Sequence, residues 1–291
     1  FASTPVHPVC RTVGVGPRQG PRTGPRSVFP LTWAVGRRAP PPIAFEVHHD
    51  TMARSSILAW RGERFRVTPW RGEGTIAHVA VDARGSHPSL DGVARCVARV
   101  GQAGFDRILT AALHDEDLAP FLHHGFRPVE QLVVLAHDLD ELPPAPSYRM
   151  RSFRLRHRPQ VLEIDGRAFE EFWQMDDAGL DEAFGATPRA RGRYIRDGTS
   201  LLAYSIVGVS GTEAFLQRLA VDPNHQGVGM GRALTADALE WAAARGATVA
   251  FVNTQATNAA ALSLYSMLGF ERRLAPLTVL DLSLRREAVG T

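Results

Sequence analysis

The sequence predicts an α/β protein of layered α+β character, built as two similar units joined by a short linker. Three observations predict it. Composition is that of an ordinary globular chain, with 44% hydrophobic and 22% charged residues among 291, which excludes collagen-like, wholly disordered and membrane-embedded classes. From Ile57 onward, apolar residues switch repeatedly between period-two and helical spacing. Finally, Val79-Ala80-Val81-Asp82 and the later Gly125-Phe126 are echoed by Leu219-Ala220-Val221-Asp222 and Gly269-Phe270. The stretch from 82 to 125 is nearly as long as that from 222 to 269. Duplication of one α/β unit accounts for the echo, chance likeness of two short α/β stretches being the alternative.

The elements follow in order. Residues 1–51 carry Gly-Pro-Arg punctuation and the run Pro40-Pro41-Pro42, with no apolar period; they are expected to be a disordered, inessential tail, with Met52 as the natural start. The apolar residues 28–35 imitate a signal peptide but are broken by Pro30 and followed by Arg37-Arg38. Strands are expected over 76–81, 107–112 and 131–138, and helices over 90–100 and 117–124. These fill a first domain over 52–140. Three prolines within 141–147 mark the linker. The second domain, 148–291, opens with a strand over 148–153 and helices over 159–173 and 176–184. A hairpin joins 201–209 to 213–221 through Ser210-Gly211. Helices over 231–245 and 258–268 then alternate with strands over 248–253 and 277–282.

Charge and cysteine content narrow the function. All 33 basic residues are arginine, against 30 acidic ones, and they are scattered rather than striped; neither nucleic acid nor membrane is expected as a partner. No apolar run approaches the ~18 residues of a membrane-spanning helix. Two cysteines can make neither a disulfide framework nor a zinc site, so a cytoplasmic protein with no metal is expected.

The chemistry concentrates in one loop. A strand ends at Val221, Asp222-Pro223 turns the chain, and Gln226-Gly227-Val228-Gly229-Met230-Gly231-Arg232 leads into a helix. Glycines let backbone N–H groups converge on a ligand, and the helix dipole points at the same spot, which suits a pyrophosphate. A Walker loop needs lysine, of which the chain has none. The dinucleotide fingerprint needs Gly-x-Gly-x-x-Gly, and the spacing here is Gly-x-Gly-x-Gly.

Gln226-Gly-Val-Gly229-Met-Gly231 resembles the Gln/Arg-x-x-Gly-x-Gly/Ala signature of the GNAT superfamily of acyl-CoA N-acyltransferases. Asn258-Ala-Ala-Ala-Leu-Ser-Leu-Tyr265-Ser-Met-Leu-Gly269-Phe270 is similar to that family's Asn-x-x-Ala-x-x-x-Tyr-x-x-x-Gly-Phe helix. The resemblance implies two GNAT-like domains, each a mixed, mostly antiparallel twisted sheet flanked by helices, with acetyl-CoA as co-substrate. It implies that Leu219, Ala220 and Val221 offer backbone groups to the pantetheine arm. Gln226 to Arg232 would hold the pyrophosphate, and Asn258 would touch the pantetheine. Tyr265 would protonate the departing thiolate as an amine attacks the thioester directly. Each residue also has a plainer role: Tyr265 as a core residue, Asn258 as a helix N-cap, Gly269 as a helix C-cap. Gly227, Gly229 and Gly231 have no comparable structural excuse.

The first unit is a degenerate copy. Its loop lacks the glycine array and contains Pro88, and Phe121 stands where the second has Tyr265. It is expected to serve as scaffold, leaving one site per chain. The second unit resembles the ribosomal-protein alanine acetyltransferases, which place a basic glutamate twelve residues before the tyrosine; here that position is Asn253. Glu213 is nominated as the base, a water chain to a more distant carboxylate being equally open. The acceptor is therefore a protein N-terminus or a small-molecule amine. The tandem layout also resembles mycothiol synthase, which acetylates the amine of a thiol-sugar, and a non-catalytic acyl-CoA-binding module is a third reading.

Overall fold

The computed structural model describes residues 56–71, 73–82, 84–144 and 148–285. The tail 1–51, the start at Met52 and residues 145–147 of the linker lie outside the described residues. The first half is a meander, β1 (Ser56–Trp60), β2 (Glu63–Trp70) and β3 (Glu73–Val81), followed by α1 (Leu90–Gln102), β4 (Arg107–Thr110), α2 (Asp115–His123) and β5 (Arg127–Asp138). β1 and β2 correct the expectation that the first strand starts at Ile76. Their turn places Arg61 at φ 45° and Gly62 at φ 90°, the tight hairpin geometry that is usually announced by Asn-Gly.

The second half begins with β6 (Arg151–Ser152), much shorter than the expected 148–153. α3 (Arg158–Ala168) stops five residues before the expected end, and a separate 3-10 turn takes Glu171–Trp173. α4 (Asp177–Gly185) leads to β7 (Arg189–Asp197), a strand the sequence reading missed. β8 (Ser200–Ser210), β9 (Glu213–Val221), α5 (Met230–Ala243), β10 (Val249–Gln255), α6 (Ala259–Met267), β11 (Glu271–Arg272) and β12 (Leu277–Ser283) complete the chain.

The halves share one 12-stranded sheet, ordered β1-β2-β3-β4-β12-β5-β10-β9-β8-β7-β6, with β11 pairing with β5 off this path. It is mixed and mostly antiparallel; β3/β4 and β9/β10 are its parallel pairs. The halves exchange strands. β12, from the end of the chain, lies between β4 and β5, while β5 of the first half runs antiparallel to β10 of the second. Leu280 of β12 is accordingly fully buried in the core beneath α1 and α2, beside Ile108 and Phe126, a burial that contributes about 1.5–3 kcal/mol. A cut at residues 141–147 would strip that strand from the first half.

A second core packs α5 and α6 over β8, β9 and β10, and includes Val133 and Leu135 of β5. On the opposite face, Trp70 and Leu109 of the first half meet Trp173, Phe215 and Val279 of the second. Among the described residues no helix is long and apolar enough to cross a membrane.

Candidate active site

The parallel pair β9/β10 opens partway along. Its register holds only at Glu213↔Val249, Ala214↔Ala250 and Phe215↔Phe251, although β9 continues to Val221 and β10 to Gln255. A β-bulge follows at once, since Val207 pairs Leu216 but Ile206 pairs Arg218, leaving Gln217 as the extra residue and turning the strand. The freed segment includes Leu219, Ala220 and Val221. Its backbone is open to an added strand-like ligand.

At the open end Asp222 accepts hydrogen bonds from the Asn224 backbone at 2.9 Å and pairs with Arg167 at 2.7 Å, fixing the turn. The Gln226 amide donates back to the Val221 carbonyl at 3.3 Å. Among the described residues, the backbone N–H groups of Gln226, Gly227, Val228 and Gly229 donate to no backbone acceptor, and α5 begins directly behind them. Converging free donors at a helix N-terminus attract a phosphate. Tyr148, which the sequence reading passed over, donates its hydroxyl to the Val228 carbonyl and latches the loop from outside.

The glycines do have structural roles, which corrects the sequence reading. Gly227 and Gly229 take φ 79° and 91°, a region closed to most side chains. A Cβ on Gly231 would sit 3.2 Å from Leu264 of α6, so this glycine lets α5 and α6 approach. Arg232 is exposed, Val228 is 59% exposed, and Met230 is buried beneath the loop.

Tyr265 lies on α6 in the core beneath β9, with its ring 5.5 Å from that of Phe270 and 5% of its surface exposed. Among the described residues its hydroxyl has no hydrogen-bond partner. Burial pushes the phenol well above its ordinary pKa, with Arg218 acting against the shift, so it stays protonated at neutral pH. Asn258 is the N-cap of α6, its side-chain oxygen accepting from the Ala261 amide at 3.0 Å; its NH2 group remains for a ligand. Asn253 is half-buried on the open part of β10.

Glu213 sits at the other end. It lies where β9 and β10 are still paired, about 20 Å along the strand from Leu219 at ~3.4 Å per residue. Burial raises its pKa. One network escaped the sequence reading altogether. Asp165 is fully buried on α3 and accepts from Nε and Nη2 of Arg218 at 2.7 Å, from the Tyr204 hydroxyl and from the Met175 amide at 2.6 Å. Arg218 also lies over Phe169, 3.5 Å from the ring centre. An acid on the apolar stripe of Val161 and Ile164 was its signal.

The first half is closed at the equivalent place. β3 and β4 stay paired as far as Val79↔Thr110, two residues before β3 ends, whereas β9 and β10 part six residues before β9 ends. The start of α1 is already filled: Glu63, 5% exposed, accepts from the Ser89 amide at 2.7 Å. His87, Glu116 and Asp117 bring ligand-type atoms within 4.8 Å of one another nearby, held by a His87–Asp117 bond of 2.6 Å.

Two parallel strands thus part beside a glycine-rich helix start, leaving open backbone above an anion-attracting loop. Residues 158–270 match the acetyltransferase (GNAT) family. The chain is 40% identical over 70 residues to the ribosomal protein bS18 alanine N-acetyltransferase of Escherichia coli K12, covering 24% of this chain and 47% of that protein. It is 46% identical over 54 residues to the mycothiol acetyltransferase of Kocuria rhizophila, covering 19% of this chain and 18% of that protein. The chain thus spans about half the length of the ribosomal-protein relatives and less of the other. In fold it is similar to a tandem GNAT protein from the clavulanic acid biosynthesis pathway, with a TM-score of 0.55 and 15% identity over 77% of this chain and 80% of that one.

Proposed function

We propose that this protein is an N-acetyltransferase that moves the acetyl group of acetyl-CoA to a primary amine by direct attack. The observation that carries this reading is the opening of β9 from β10 after Phe215, with the free N–H groups of the glycine loop at its end. In this reading the pantetheine arm pairs with Leu219, Ala220 and Val221. Gln226, Gly227, Val228, Gly229, Met230, Gly231 and Arg232 supply loop and helix-start contacts to the pyrophosphate. The amine nitrogen bonds to the thioester carbon, the C–S bond breaks, and Tyr265 gives its proton to the leaving thiolate. Glu213 takes the proton of the amine through intervening water, given its place at the paired end of the strand. The first half binds no cofactor and walls the acceptor side through Trp70, which packs on Phe172 and Trp173 of the second half.

The acceptor is a protein N-terminus or a small-molecule amine. Asn253, in place of a carboxylate on the open strand, favours the small amine, and the mycothiol relative makes a thiol-sugar amine the first to try. The test is acetyl-CoA consumption against peptides with varied N-termini, free amino acids, polyamines and amino-sugar thiols. Turnover with one class assigns the acceptor. Tight CoA binding with no turnover on any amine would favour a non-catalytic binding module instead.

A further inference from the structure

A second cationic site stands apart from the glycine loop. Arg149, Arg151, Arg154, Arg156 and Arg193 surround a cavity of about 460 Å³ at the outer edge of the sheet, floored by His157 and Tyr194. That volume matches pockets that take ligands the size of a nucleotide. Nine other arginines of the described residues are paired with carboxylates, Arg158 with Asp177 and Asp181 among them. Among the described residues Arg149, Arg151, Arg154 and Arg156 have no carboxylate partner. Arg193 shares Asp237 at 3.5 Å with Arg191. The charges felt by His157 are likewise all arginines, Arg156, Arg154 and Arg196.

Four guanidinium groups without a carboxylate, of which Arg156 donates to His157 Nε2 at 3.3 Å, repel one another around one cavity, and an anion of several charges relieves that repulsion. Guanidinium groups bind phosphate oxygens in bidentate fashion. The cavity is also rigidly framed. His157 accepts from the Arg154 amide at 3.0 Å and meets the Tyr194 hydroxyl at 3.2 Å, while Tyr194 is 3% exposed in the core behind it.

Its position separates it from the cofactor channel. Arg151 pairs with Tyr194, Tyr194 with Tyr204, and Tyr204 with Ala220. The cavity, lined from β6 and β7, is therefore level with the proposed pantetheine strand but two to three strands away, about 10–14 Å at ~4.8 Å per strand. The geometry points to a second binding site, for a small anion carrying two or more phosphate groups, occupied independently of CoA.

The probes are inorganic pyrophosphate and ATP, titrated calorimetrically into the full chain at physiological salt, with and without saturating CoA. The expected result is one equivalent bound in both conditions. R154E/R156E should raise the dissociation constant at least tenfold with the CoA constant unchanged. R154Q/R156Q, checked by its melting curve, should weaken binding in the same direction. Equal affinity for both probes would mean that phosphates alone are read, and tighter ATP that the nucleoside adds contacts; either supports the site. Absence of binding, displacement by CoA, or an unchanged constant in both variants would overturn it. Because the titration without CoA stands alone, a failure of the acetyl-CoA reading would show separately.

Discussion

Tyr265→Phe separates a catalytic tyrosine from a packing one. The substitution removes only the hydroxyl; the ring keeps its place beside Phe270 at 5.5 Å. Since that hydroxyl has no partner among the described residues, its loss should change folding stability by less than about 1 kcal/mol. The rate is another matter. A general acid contributes typically 10²–10⁴-fold, so kcat should fall at least ~10-fold, equal to about 1.4 kcal/mol of barrier. The interaction exists mainly in the transition state, and KM for acetyl-CoA should hold steady. Initial rates of CoA release with the acceptor found in the screen measure both. The raised pKa of the buried phenol also predicts that loss of the acid does not limit the wild-type rate below pH 10. Unchanged kcat in Tyr265→Phe would refute the mechanism and leave Tyr265 as a core residue.

Three further outcomes are expected. Glu63→Ala removes the buried carboxylate that accepts from the Ser89 amide and should cost about 1–3 kcal/mol in urea unfolding; a neutral result would deny the carboxylate its role at the start of α1. Asp165→Asn strips the counter-charge from Arg218, for which a loss of about 3–5 kcal/mol is expected; stability within experimental error of wild type would contradict the buried pair. His78 has its pKa lowered to about 4 by burial and by Arg66 and Arg71. Its neutral form is favoured in the folded state, so stability is full above pH 6.5 and is lost as pH falls toward 4, by about 3 kcal/mol. His78→Leu should flatten that part of the stability-pH curve, and an unaltered slope would disprove the assignment.

Legibility in the sequence followed how local each signal was. The order β9, α5, β10, α6 showed through with its glycine loop because periodicity, turn residues and caps all lie within a few residues of one another. β7 did not, since Arg189, Arg191, Arg193 and Arg196 read as a solvated segment; Arg191 and Arg193 instead reach Asp237 of α5. β1 and β2 were lost because their turn uses Arg61 with a positive φ in place of asparagine. The exchange of β5 and β12 depends on pairing across more than a hundred residues and leaves no local mark. At the site, the sequence placed the glycine loop at the start of α5 but not its glycines as packing residues, because the approach of Leu264 to Gly231 exists only in the folded chain. Pro88 and Phe121 marked the first half as a degenerate copy in the sequence alone. The paired β3/β4 strands and Glu63 at the start of α1 required the structure.

The measurement closest to the central claim is a calorimetric titration of the full chain with acetyl-CoA. One open strand pair and one closed one predict a single equivalent per chain, lost when Gly231→Asp drives a carboxylate against Leu264 and into the loop, with Glu63→Ala leaving the count at one. No binding would contradict the acetyl-CoA cradle at Gln226–Gly231, and two equivalents would contradict the closure of the first half.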